Sequence, residues 1–247
     1  MVDKSTTIDT DATREYKNSF FRQIFSVTKA FIELLSAILG ITIPKELVKS
    51  FKDLSPDSGH FTNPRNDVGF FIEKYNILAL TEHQSTLNPN MPFRMLRYYC
   101  KIIDAIYDNK QLLSTKQVKI YKPVFIVLYN GTRPCPAVHK QFISDSFLPS
   151  DDLFNKNCHL DSTVDLYNIN LEFNNEIMDK SPTLRGYAML VEQIRTNLLN
   201  KCEMDEAHKK ATDFCRENGI LTEYLGPRFK EGFNLLFEEL TNVDYIQ

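Results

Sequence analysis

Glycine is scarce in this chain, eight in 247 residues, and no glycine-rich loop of the kind that wraps phosphates is present. Nucleotide-driven chemistry therefore has no foothold in the sequence. Nor is there a G-x-S-x-G, so nothing supplies the sharply turned nucleophile of a serine hydrolase. The cysteines are few, odd in number and widely spaced (Cys100, Cys135, Cys158, Cys202, Cys215). They indicate neither a zinc site nor a disulfide framework, and read as small buried hydrophobes of a reducing compartment. The histidines (His60, His83, His139, His159, His208) show no metal-ligand spacing. Long apolar runs are missing too. The longest are too short and too charged to cross a bilayer, and the polar start at Val2-Asp3-Lys4-Ser5-Thr6-Thr7 lacks the pattern of a secretory signal. A soluble cytoplasmic protein with no membrane partner is expected.

Excess positive charge is absent as well. A formal net charge of -3 argues against coating nucleic acid by bulk electrostatics. Its distribution is less even than the sum, because residues 109–144 contain no acid but carry Lys110, Lys116, Lys119, Lys122, Arg133 and Lys140. With Arg94, Arg97 and Lys101 just upstream, these form either a local positive face or a solvated loop.

What is present is concentrated in Asn66-Asp67-Val68-Gly69-Phe70-Phe71-Ile72 and Ile77-Leu78-Ala79-Leu80-Thr81-Glu82-His83-Gln84-Ser85. Both segments read as buried strands joined by the polar Glu73-Lys74-Tyr75-Asn76. A hairpin centred between Lys74 and Tyr75 sets Asp67 opposite Glu82, roughly 5 Å away. Period-two alternation puts Gln84 on the same face as Glu82 and turns the His83 ring to the other. Paired carboxylates at that distance repel unless they share a proton or a cation, and oxygen-only ligands favour Mg²⁺, Mn²⁺ or Ca²⁺ over zinc. Metal candidates are thus Asp67, Glu82 and the backbone carbonyl of His83. The spacing alone leaves open that Asp67 and Glu82 are merely solvated strand ends.

Around this hairpin the chain reads as α/β. Residues 1–14 form a polar tail, and residues 15–39 a helix with apolar positions at helical intervals, stopped by Gly40. Glu33 sits in that helix, where solvation is its ordinary role. Residues 41–65 read as a loop with a short helix at 46–52. A helix over 92–107 opens on Pro92, packs through Phe93, Leu96, Tyr99, Ile103 and Ile106, and turns Arg94, Arg97 and Lys101 toward its polar side. Strands follow at 123–129, ended by Asn130-Gly131, and at 164–171. Beyond Thr183 the chain is helical, over 187–199, 204–217 and 226–240. Strand, strand, helix, strand implies a mixed sheet, antiparallel at the hairpin and parallel across the helical crossover.

Three strings are more specific than any of these patterns: Asn66-Asp67-Val68-x-Phe70; Glu82-His83-Gln84-Ser85-Thr86-x-Asn88-Pro89-Asn90-Met91-Pro92-x-Arg94-x-Leu96; and Phe125-Ile126-Val127-x-Tyr129-Asn130-Gly131. With Asn168-Ile169-Asn170, Gly186-Tyr187-Ala188 and Thr212-Asp213-Phe214-Cys215, they resemble the Rpn family of recombination-promoting nucleases, also labelled transposases, within the PD-(D/E)XK nuclease superfamily. The resemblance covers roughly residues 17–240. It implies a mixed central sheet flanked by helices and Mg²⁺-dependent cleavage of DNA; that domain is expected over residues 15–180, and the helical C-terminal extension (181–247) is the candidate surface for a homo-oligomer. Asp67 and Glu82 match the metal carboxylates, and Glu33 matches the acid in the first core helix that often completes such sites. Gln84 stands where most of the superfamily carries lysine and Rpn relatives carry glutamine, so more of the electrostatic work would fall on the metal and on Arg94, with Arg97 and Lys101 as further substrate contacts. The alternative is a fold of this kind kept for DNA binding or protein interaction, with catalysis lost.

Overall fold

The computed structural model describes residues 20–50, 68–148 and 158–225. The expected N-terminal tail, residues 51–65 of the expected loop before the hairpin, Asp67 and the last expected helix lie outside those residues. A six-stranded mixed sheet runs in the order β1 (Val48–Ser50), β2 (Val68–Ile72), β3 (Ile77–Gln84), β4 (Lys122–Tyr129), β6 (Thr163–Asn168), β5 (Val138–Phe142). β1, β2 and β3 are antiparallel; β3, β4 and β6 are parallel; β5 returns antiparallel to β6. The parallel pair β3/β4 is joined through helix α3 (Met91–Ile106), with a single further turn, α4 (Asn109–Leu112), behind it. This is the mixed α/β architecture expected.

The hairpin has the register inferred from its sequence. Val68 faces Thr81 and Ile72 faces Ile77, and the turn closes through a 3-10 segment ended by Asn76 in the left-handed region (φ 52°), where a short polar amide is tolerated. Alternation along the strands splits the core into two layers. Phe71, Leu78, Leu80, Phe125, Val127 and Leu166 face α3 and its Met91, Met95, Tyr99, Ile102 and Ile103. Phe70, Ile72, Ala79, Ile126 and Leu128 face the other way, onto helices α1 (Phe20–Phe25), α2 (Thr28–Leu39), α5 (Asn175–Lys180), α6 (Pro182–Leu199) and α7 (Met204–Glu217). Each large side chain buried in either layer is worth about 1.5–3 kcal/mol.

Several local expectations are corrected. The single helix over 15–39 is two helices within its described part, broken at Ser26-Val27: Val27 is extended (φ -74°, ψ 120°) and the Ser26 hydroxyl bonds back to the Gln23 carbonyl. The break lets Phe20, Phe21, Ile24 and Phe25 as well as Ala30, Phe31, Leu34 and Leu35 reach one core. Gly40 does stop α2, at φ 65°. The short helix expected at 46–52 is instead a 3-10 turn at Lys45–Leu47 followed by β1, because pairing with β2 outweighs local propensity. On α3, Phe93 is half exposed and Met95 and Ile102 take the buried positions. The C-terminal region is helical as expected, and its helix α6 packs Leu184, Tyr187, Leu190, Val191 and Ile194 into the same core as α1 and α2.

Candidate active site at the carboxyl end of β3

Open α/β sheets place their ligands beyond the carboxyl ends of the parallel strands, and here that edge is polar on both faces. β3 is buried from Leu78 through Gln84, so the apolar run ends in Thr81, Glu82, His83 and Gln84 without reaching solvent. Glu82 is 5 % exposed. A carboxylate that deep is tolerated only with strong partners. It has them from α3: the Arg94 guanidinium donates to Glu82 Oε1 at 2.5 Å, with the Tyr98 hydroxyl 3.4 Å from the same nitrogen. Gln84, on the same face as expected, donates to Glu82 Oε1 at 3.3 Å and to the Met91 sulfur at 2.8 Å. The nearby oxygen fixes the amide's orientation, since an amide oxygen turned toward Glu82 would be repelled. That leaves Gln84 Oε1 buried with no hydrogen-bond partner among the described residues, a costly condition for a carbonyl oxygen.

His83 points to the opposite face, as alternation requires. Its ring stacks on Phe21 at 4.7 Å and meets Tyr187 edge-on at 5.6 Å, with Nε2 3.1 Å from the Tyr187 hydroxyl. Asn130 donates to that hydroxyl at 3.3 Å, so the phenolic proton can go to Nε2, which a neutral imidazole accepts. Burial, and secondly the charge of Arg195, push His83 down from 6.5 to about 3, against the opposing effect of hydrogen bonding to the Asn130 side chain. Arg195 donates to the Asn130 carbonyl and, at 2.7 Å, to Asn170 Oδ1, while Asn170 donates to the Gly131 carbonyl at 3.0 Å. These contacts tie the ends of β3 and β4 and the residues after β6 to α6. Gly131 has no room for a side chain there, because a Cβ would lie 2.0 Å from the Ser85 carbonyl oxygen.

Not every expected residue comes to this edge. Glu33 sits on a helix of the other face, and its carboxylate accepts from the Ser181 hydroxyl (2.8 Å), the Thr183 amide (2.7 Å) and the Thr183 hydroxyl (3.2 Å). It caps α6, where a negative charge meets the positive end of the helix. Glu82, Gln84 and Arg94 are brought together; Arg97 and Lys101 are exposed further along α3, Arg97 over the Phe93 ring at 5.9 Å. Asp67, which precedes Val68 in sequence, is outside the described residues. Tyr187, Asn130 and Arg195 were not singled out as site residues from sequence; the Asn-Gly after β4 and the Gly-Tyr-Ala string were the available signals.

Fold and site together define a mixed-sheet α/β protein with acid, amide and guanidinium gathered at the carboxyl end of a central strand. Residues 17–216 match the model of the family described as "Putative transposase, YhgA-like", and the chain belongs to that family. Membership supports a transposase-like or nuclease-type role and, with it, interaction with DNA. No curated protein and no solved structure matches the chain. Among the described residues, no helix is long and apolar enough to cross a membrane.

Proposed function

We propose that the chain is a metal-dependent DNA endonuclease whose cation is held by Asp67, Glu82 and the backbone carbonyl of His83, with breakage of DNA serving recombination or mobile-element processes. The observation that carries this reading is the buried co-facial pair Glu82 and Gln84, in which the amide nitrogen donates to the carboxylate and the buried Gln84 Oε1 has no hydrogen-bond partner among the described residues. Oxygen donors of this kind suit Mg²⁺, and Mn²⁺ or Ca²⁺ in its place. Bound there, a divalent cation would lower the pKa of a water and offset charge on the scissile phosphate. Gln84 orients that water through Oε1 while its amide nitrogen is held by Glu82 and Met91. Arg94 supplies the fixed positive charge that glutamine lacks, and Arg97 and Lys101 extend the contact along the DNA backbone. Glu33 is left out of this proposal because its carboxylate is engaged in capping α6 on the opposite face.

The test is nicking of supercoiled plasmid with Mg²⁺ and with EDTA. Cleavage by the wild type that EDTA abolishes is expected, and loss of cleavage in the Asp67→Ala, Glu82→Ala double variant. Undiminished cleavage by that variant would remove these residues from the mechanism. One observation favours a second reading, DNA binding without cleavage: Arg94 neutralises Glu82 within the fold itself. Weak cation binding by calorimetry, with DNA affinity indifferent to Mg²⁺, would favour it.

A further inference from the structure

The guanidinium of Arg94 stands on the same carboxylate that the proposed cation would use. We propose that Arg94 gives up Glu82 when a divalent cation binds there and then takes the scissile phosphate, so that cation binding and DNA binding are coupled through this one side chain. This inference rests on the metal-site reading above and adds to it a mechanism for loading the site in order.

Three features support the exchange. Glu82 is fixed, its side chain 6 % exposed at the end of a buried strand, whereas the Arg94 side chain is 32 % exposed and reaches the pair from a helix surface. A guanidinium and a divalent cation on one carboxylate repel each other, and the more exposed partner is the one able to leave. The second feature is position. Arg94 lies in the first turn of the 16-residue helix α3, which has no acid in that turn, so its charge adds to the positive end of the helix dipole. A cation there is favoured by an anion in front of it, as Glu82 is and as a phosphate would be. The third is chemistry: the planar fork of arginine matches phosphate as well as carboxylate, and the Tyr98 hydroxyl is a neighbour it can keep during the exchange.

Coupling of this kind is reciprocal, since whatever factor the cation adds to DNA affinity, DNA adds to cation affinity. The full-length protein is titrated with Mn²⁺ alone by calorimetry, and with a short DNA duplex in the presence and absence of Ca²⁺ by fluorescence anisotropy. Arg94→Met is expected to bind Mn²⁺ more tightly than wild type, by roughly tenfold as is common for coupled sites, while losing the gain in DNA affinity that Ca²⁺ gives the wild type. Mn²⁺ affinity equal to or below wild type in Arg94→Met, with Glu82→Gln abolishing Mn²⁺ binding, would overturn the exchange and leave the metal site standing. Wild-type Mn²⁺ binding in Glu82→Gln would overturn both. Should Arg94→Met fail to fold by circular dichroism, Arg94→Gln also removes the charge while keeping a polar side chain; tighter Mn²⁺ binding than wild type is again expected, and its absence again refutes the exchange.

Discussion

The His83 ring gives the sharpest prediction about pH. Its pKa in the fold is about 3, lowered first by burial and then by Arg195, whereas in the unfolded chain it stands near 6.5. The unfolded state therefore binds a proton that the folded state refuses. The stability gained from keeping this ring neutral is complete above about pH 6.5 and is lost as pH falls toward 3. At pH 5 the loss works out at roughly 2 kcal/mol, from 1.36 kcal/mol per pH unit between the unfolded pKa and the working pH. Against a total of about 5–15 kcal/mol that is readily measured, and for a chain of this length it lowers the melting temperature by about 4–8 °C. Urea denaturation at pH 7 and pH 5 measures it directly. Carboxylates contribute at low pH as well, so the reference is His83→Phe, which keeps an aromatic ring between Phe21 and Tyr187 but cannot be protonated. The variant should lose about 2 kcal/mol less than wild type between the two pH values. A His83 imidazole resonance titrating near 6.5, or equal losses in variant and wild type, would refute the assignment.

Two further outcomes follow from packing and capping. Gly131→Ala would press a methyl group against the Ser85 carbonyl oxygen and, at 2.5 Å, the Tyr129 hydroxyl, costing about 3 kcal/mol in urea denaturation; a change within about 0.5 kcal/mol would mean that the loop after β4 relaxes. Glu33→Ala removes the carboxylate from Ser181 and Thr183 and should cost about 1–2 kcal/mol of thermal stability. Abolished cleavage in a Glu33→Ala protein of unchanged stability would instead return Glu33 to the catalytic machinery.

The hairpin was legible because its information is local: two apolar strands, a polar four-residue connection, and a period of two that fixes which side chains share a face. The same rule placed Glu82 with Gln84 and turned His83 away, and the proline-opened helix between two buried strands implied the parallel β3/β4 crossover. Edge strands were not legible. β5 reads Val-His-Lys-Gln-Phe with most of its residues exposed, and β1 follows a Lys-Glu-Leu stretch of helical composition; each exists because a neighbouring strand pairs with it. Partners distant in sequence were hidden for the same reason. The Tyr187 hydroxyl lies 104 residues along the chain from the His83 ring it meets, and Glu33 is a cap only because α6 arrives beside it 148 residues later. Arg94 was a candidate for substrate, but its hold on Glu82 depends on where α3 lies against β3.

The most direct measurement is a crystal structure of the full chain soaked in Mn²⁺, with anomalous scattering to locate the ion. A peak within ligand distance of carboxylate oxygens of both Asp67 and Glu82, with Gln84 turned toward it, is expected. Ordered Asp67 and Glu82 facing apart, or a Mn²⁺ peak bound only elsewhere on the molecule, would contradict the metal site and the nuclease reading built on it.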